Sequence, residues 1–379
     1  MADGGDDDAP GRAGSQSRLT AHAGQGEGQG GVPGIDDPRR LADWLRERGL
    51  GGPGTPRIQL ILGGRSNLTY RLDLAGAGSR NRLVLRRPPL GHVLPTAHDM
   101  SREYRVLTAL HGGEVPVPAP VAICPDPGVI GAPFYLMEYV PGRVLRTRED
   151  AAGLTAAQGG QLSELVAGTL ASIHGVDLEA AGLADFGRPE GYLRRQLARW
   201  QRQWELSATR EVPGYDALVS RLAGGLPEST GHCLVHGDFR LDNMLIDLAG
   251  QPSVAAVVDW EMSTLGDPLA DLGLSLVYWA DPADADWAEL GVGAGVTSLP
   301  GFLSRAELAR RYAESTGRDV EGIGYYMAFG YFKLAVVLEG IHARYLLRKT
   351  VGEGFEREGR AVPRLIERAH QVLDDGPWR

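Results

Sequence analysis

Residues 234–261 read LVHGDFRLDNMLIDLAGQPSVAAVVDWE, setting one acid (Asp238), one amide (Asn243) and a second acid (Asp259) at the ends of short strand-like runs. Phosphoryl transfer from ATP needs three such groups together. An acid must orient the acceptor hydroxyl and take its proton, and two oxygen donors must hold Mg²⁺ against the triphosphate, because Mg²⁺ favours hard oxygen ligands and takes few from the protein. Asp238 suits the base, and Asn243 and Asp259 suit the metal. The alternative is a pair of strands joined by a polar turn, with Asp and Asn making only turn hydrogen bonds. An isolated His-Gly-Asp would be read that way. Here Asn243, Met244-Leu245-Ile246, a Gly250/Pro252 turn and Val257-Val258-Asp259 follow in order, and that order favours the chemical reading.

His236-Gly237-Asp238 with Asn243 five positions beyond the acid resembles the catalytic loop of the aminoglycoside phosphotransferase and choline kinase-like family. Protein kinases carry a related His-Arg-Asp…Asn arrangement, and Val258-Asp259-Trp260-Glu261 stands where they have Asp-Phe-Gly. The resemblance implies an α+β, bilobal protein kinase-like fold, with an antiparallel-sheet N-lobe and a mainly helical C-lobe. ATP and Mg²⁺ would bind between the lobes.

The elements that must position these residues are legible in outline. Residues 1–34 are Gly- and Asp-rich with few apolar positions, so we expect a disordered tail, then a nucleotide-binding lobe over 35–140 and a catalytic, substrate-binding lobe over 141–379. Asp37-Pro38 marks a helix start. Strands are predicted at 58–62, 68–74 and 82–87, then a helix at 98–111 and strands at 121–124 and 134–139. Pro141-Gly142 breaks the chain where a hinge would fall. Helices are predicted near 155–175, 189–208, 213–225, 268–279, 304–316, 322–349 and 356–374, with an irregular loop over 280–300.

On the nucleotide side, Gly63-Gly64-Arg65-Ser66-Asn67 joins the first two strands. Glycines let backbone N–H groups approach phosphates, although a Gly-Gly hairpin can be a turn and nothing more. A similar Gly-Gly-x-Ser-Asn segment in the family makes Ser66 and Asn67 candidate phosphate neighbours. The third strand carries Arg86 where kinases place a phosphate-contacting lysine. Strand alternation turns Arg86 and Arg87 to opposite faces, and we expect Arg86 in the cleft and Arg87 at solvent. Glu103 would hold Arg86 by a charge-assisted bond; a solvated helix Glu is the alternative. By resemblance to a kinase hinge, the Glu138 carbonyl and the Val140 N–H would meet the adenine edge. His236, Asp267 and Asp271 read as supports of the catalytic loop, with Asp267 as the N-cap before Pro268.

Composition limits the partners. A formal charge of −9 disfavours a broad nucleic-acid face, and no uncharged apolar run approaches the ~20 residues of a membrane span. Two distant cysteines support neither a disulfide framework nor a zinc site, and the acidic start has no signal-peptide core, so a cytoplasmic protein is expected. The partner is a small hydroxylated molecule, with oligomeric state left open. Lys333, Arg344 and Arg348 fall within about a third of a helical turn at ~100° per residue, beside Val337. That favours an anionic acceptor, a hydroxy acid or hydroxyacyl-CoA, although a solvated helix face would carry the same charges. Leu-Arg-Arg-Pro-Pro at 85–89 resembles the family branch related to kinase-like domains fused to acyl-CoA dehydrogenases, which agrees with that acceptor. Aminoglycosides, being polycations, are the alternative acceptors. Arg86 in place of lysine leaves a nucleotide-binding pseudo-kinase open, and the lack of an activation segment disfavours a protein kinase.

Overall fold

Five antiparallel strands in the order β1-β2-β3-β5-β4 form the small lobe: β1 Arg57–Leu60, β2 Leu68–Asp73, β3 Arg82–Arg87, β4 Pro120–Cys124 and β5 Phe134–Glu138. The computed structural model describes residues 32–61, 67–74, 82–90, 99–229, 231–282, 284, 295–347 and 358–378. Two helices flank the sheet, α1 (Pro38–Glu47) and α2 (Met100–Leu110). Each starts as its sequence dictates: Asp37 caps α1 ahead of Pro38, and Asp99 accepts from the Ser101 N–H at the start of α2.

The two faces of the sheet feed different cores. Leu83 and Leu85 of β3 pack with Tyr70, Phe134, Leu136 and the buried face of α1. Val84, Tyr135 and Met137 pack with α2 and are continuous with the core of the large lobe. Period-two alternation therefore sends Arg86 to the cleft side with Val84. Arg87 goes to the other face, but not to solvent as expected. It is 5 % exposed and bonds the carbonyls of Gly34, Ile130 and Pro88. A charged fork closing the outer core needs such acceptors, because an unpaired buried donor is costly.

The large lobe holds α3 (Ala156–His174), α4 (Tyr192–Ser207), α5 (Tyr215–Gly224), α6 (Pro268–Tyr278), α7 (Arg305–Thr316), α8 (Ile323–Leu346) and α9 (Glu358–Asp375). Between α5 and α6 lie β6 (Cys233–Val235), the hairpin of β7 (Met244–Asp247) with β8 (Ser253–Val257), and β9 (Thr264–Gly266). The pairing of β9 with β6 was not expected; a three-residue strand ending in glycine has too little alternation to read. Helix α8 is buried on nearly every side as far as Ile341, as its apolar sequence implies, and glycines let it approach α6. A Cβ at Gly273 would lie 2.6 Å from the Tyr326 backbone. The chain leaving β5 is tied to the catalytic hairpin, since Arg143 and Ile246 exchange backbone hydrogen bonds at 2.8 and 2.9 Å. No helix among the described residues is long and apolar enough to cross a membrane.

Candidate active site

The end of β6 delivers His236-Gly237-Asp238 into a turn held from several sides. The His236 ring accepts from the Asp238 N–H at 3.3 Å through Nδ1, which leaves Nε2–H to donate to the Val258 carbonyl at 3.0 Å. Asp271, one turn into α6, accepts the backbone N–H of His236 at 2.6 Å and of Gly237 at 2.9 Å. Gly237 has φ +82°, and a Cβ there would meet the Met262 carbonyl at 2.6 Å, so only glycine fits. Burial raises the Asp271 pKa, but the His174 hydrogen bond at 3.3 Å and the N–H of His236 outweigh it and hold the carboxyl below its usual range. Asp267 caps α6 through the Leu269 N–H and accepts from the Tyr326 hydroxyl at 3.0 Å. His236 and Asp271 thus bond the loop directly, and Asp267 caps the helix that carries Asp271.

Asn243 donates through Nδ2 to the Asp238 carbonyl at 2.8 Å and to its carboxylate at 3.3 Å, joining the candidate base to one candidate metal ligand. Arg240 flanks the same carboxylate at 3.6 Å, pairs with Asp242 at 3.0 Å and stacks over Tyr278. Burial works against the Arg240 charge, but Asp238 and its neighbours more than offset it and raise its pKa.

Asp259 follows β8 with φ +69°, the one non-glycine with positive φ among the described residues. Such a conformation persists only where the surroundings impose it, and it marks functional positions. Arg86 donates to Asp259 at 2.8 Å and lies 3.3 Å from Glu103, which is 2 % exposed. Helix α2 holds Glu103 in place by docking on the large lobe, where Arg102 bonds the Phe186 carbonyl at 3.0 Å and stacks on its ring. One cation thus serves two carboxylates, with Glu261 nearby. Burial pushes the Glu103 pKa up to about 7, with Arg86 only partly opposing it. For Asp259, burial is outweighed by the closer Arg86 bond, and its pKa is lowered.

Among the described residues no cluster of three or more His, Cys, Asp or Glu is set to hold a metal ion. Mg²⁺ needs no such cluster, since one or two carboxylates and the substrate phosphates suffice. The carboxylate of Asp259, kept ionised, and the amide oxygen of Asn243, turned from Asp238 by the Nδ2 bonds, are hard oxygen donors that fit Mg²⁺.

Asn67, 4 % exposed, reaches across the cleft and donates to Glu261 at 2.8 Å. Ser66 lies outside the described residues. Glu138 ends β5 and its N–H donates to the Ala119 carbonyl at 2.9 Å; Val140 follows in the segment between the lobes. Lys333 and Arg344, both on α8, do not converge. Lys333 reaches inward and its Nζ donates to the Gly237 carbonyl at 2.6 Å. Arg344 is exposed, about 16 Å further along the helix at ~1.5 Å per residue, and Arg348 lies outside the described residues. The sequence reading missed Arg240, Tyr278 and Tyr135, whose side chain hydrogen-bonds Glu103, and the cross-cleft role of Glu261. Arg240 and Glu261 each sit two positions after a key acid, and that spacing was the available signal.

This fold is that of the kinase-like phosphotransferases. The chain belongs to the phosphotransferase enzyme family, whose model matches residues 57–308. It is 36 % identical over 307 residues to mouse acyl-CoA dehydrogenase family member 10, covering 81 % of this chain and 28 % of that protein. Across the curated relatives it spans between 28 % and 43 % of their length. A Ralstonia eutropha JMP134 structure described as a "putative aminoglycoside phosphotransferase" is 32 % identical with a TM-score of 0.74, covering 89 % of this chain and 98 % of that one. A thermostable mutant of aminoglycoside phosphotransferase APH(4)-Ia, solved with ADP and hygromycin B, shares the fold at TM-score 0.56 and 16 % identity, covering 89 % and 98 % of the two chains.

Proposed function

We propose that this chain is an ATP- and Mg²⁺-dependent O-phosphotransferase whose acceptor is the hydroxyl of a hydroxy acid or hydroxyacyl-CoA. The observation that supports the transfer reading is the Asp238–Asn243 hydrogen bond together with the Arg86–Asp259 pair. Bound Mg²⁺–ATP supplies the transferable phosphoryl group and neutralises charge as it moves. Asp238 orients the acceptor hydroxyl and takes its proton. Asn243 keeps that carboxylate aimed and, with Asp259, offers oxygen to the metal. Arg86 contributes a fixed positive charge from the small lobe, and Glu138 and Val140 offer backbone groups to the adenine edge. ADP in the APH(4)-Ia complex supports use of an adenine nucleotide.

The acceptor class draws on the acyl-CoA chemistry in the relatives' names. The cavity of about 40 Å³ beside Arg240 and Tyr278 has room for a few waters and not for an acyl chain, and Arg240 is already paired there with Asp242 and flanked by Asp238. The aminoglycoside reading draws on the name of the R. eutropha neighbour. The test is ADP release with hydroxy acids, their CoA esters and kanamycin-type aminoglycosides, in wild type and Asp238→Asn. We expect turnover of the hydroxyacyl set, lost by orders of magnitude in the variant. Turnover of aminoglycosides alone would overturn the acceptor class, and full activity in Asp238→Asn would overturn the assignment of the base.

A further inference from the structure

Lys333 is a charged residue in the middle of a buried helix, and nothing derived so far explains it. Its Nζ donates to the Gly237 carbonyl at 2.6 Å and lies 5.5 Å from the centre of the Trp200 ring on α4. The other side of Gly237 is also occupied, since its N–H donates to Asp271 at 2.9 Å. We propose that Lys333 is a positioning residue for phosphoryl transfer, locking the peptide that leads into Asp238 and so the direction its carboxylate faces. The proposal rests on the phosphotransferase reading above.

The physical case begins with Gly237. Glycine has the widest backbone freedom of any residue type, and Gly237, at φ +82°, directly precedes the base. A swing there would move the Asp238 carboxylate, and misplacement of a reacting group by ~1 Å costs on the order of 100-fold in rate. Two elements remove that freedom, α6 through Asp271 on the N–H and α8 through Lys333 on the carbonyl. Both helices are rigid against each other, because Gly273 and Gly330 bring their backbones together.

The choice of lysine has a reason as well. Desolvating an ammonium is costly, and a neutral donor could bond a carbonyl without that cost. Here the charge faces Asp238 on the catalytic loop and Asp271 on α6, with Arg199 of α4 opposing it. Tyr192 of α4 lies near Asp271, and Asp271 is in turn bonded by His174 of α3. The ammonium thus sits within electrostatic reach of both the base and its brace. Desolvation lowers the Lys333 pKa, with Asp238 and Asp271 only partly opposing it, so its proton is lost at lower pH than that of a free lysine.

The test uses the full chain with ATP–Mg²⁺ and water as acceptor, reading ADP release against pH for wild type, Asp238→Asn, Lys333→Met and Lys333→Arg. Thermal stability and hydrogen exchange over residues 236–239 are measured on the same proteins. We expect Lys333→Met to lose ~10–100-fold in kcat while the KM for ATP stays within about twofold, with faster exchange at 236–239. Lys333→Arg, which keeps its charge at all accessible pH, should recover part of kcat and move the alkaline limb upward. A kcat that falls only with thermal stability, leaving the pH profile and the Arg variant's limb unchanged, overturns the proposal and leaves the phosphotransferase reading intact. Wild-type-like ADP release in Asp238→Asn overturns that reading instead. Should the wild type release no ADP, unchanged exchange at 236–239 in Lys333→Met still overturns the clamp.

Discussion

Arg86 and Asp259, 173 positions apart in the chain, meet across the lobes with Nη2 2.8 Å from Oδ1, and the same nitrogen lies 3.3 Å from Glu103. Kinases use lysine at this strand position. A guanidinium presents a planar fork to several oxygens at once, whereas an ammonium is a point charge. The departure from lysine therefore matches a site in which one cation must join α2, β3 and the acid after β8.

Burial beside the shared cation makes Glu103 a source of pH-dependent stability, with Arg86 only partly opposing the rise in its pKa. Its pKa in the folded protein, about 7, lies above the ordinary 4.5, so the folded state holds this proton more tightly than the unfolded chain. Stability from this group is full below pH 4.5 and is lost as pH rises through about 7. Asp259, whose pKa is depressed, behaves oppositely and loses its contribution only in more acidic solution. Thermal melts of wild type and Glu103→Gln across pH 4.5–7.5 should differ in slope, with the variant flatter. Parallel curves would remove the raised Glu103 pKa.

Removing the cation leaves the buried Glu103 carboxylate beside the half-buried Asp259 with no compensating charge. Arg86→Met should destabilise the protein by ~3–5 kcal/mol near neutral pH. Arg86→Lys should lose less and retain measurable turnover, since the charge survives but the fork does not. Denaturant titrations measure the first, and ADP release measures the second.

Metal dependence should divide unequally between the two ligand candidates. Asp259 brings a formal charge to a hard cation, and Asn243 brings only a dipole. Asp259→Ala should abolish the tightening of ATP binding by Mg²⁺, while Asn243→Ala should weaken it in part and also slow turnover by releasing Asp238. Calorimetric ATP titrations with and without Mg²⁺ separate these, and equal Mg²⁺ responses in wild type and Asp259→Ala would sink the assignment.

Gly237→Ala combines a left-handed backbone with a Cβ 2.6 Å from the Met262 carbonyl. Strain of this kind costs ~1–3 kcal/mol. Because the displaced residue precedes the base, kcat should fall more than the loss of folded protein explains. A variant with lowered melting temperature and unaltered kcat per folded molecule would contradict the close coupling of Gly237 to Asp238.

Asp238, Asn243 and Asp259 could be read together as a candidate base and candidate metal ligands because they lie on consecutive short elements, so their relative placement is set by local turns and strand alternation. The same local physics gave away the capped starts of α1 and α6, the cleft-facing side of β3 and the burial of α8. Partner choice across the fold obeys no such rule. Glu261 meets Asn67 from 194 positions away and Lys333 meets Gly237 from 96, distances over which neither propensity nor spacing carries information. Arg87 illustrates the same limit, because alternation sets its side of the sheet, but only the packing of 33–34 and 130 against that side decides that it is buried. The periodicity of α8 aligned Lys333 with Arg344, yet one end of that stripe is enclosed by α4 and the catalytic loop while the other meets solvent. Which helices pack beside a face is a property of the whole chain's arrangement, and at Lys333 that arrangement sets a buried positive charge beside the residue leading into the base.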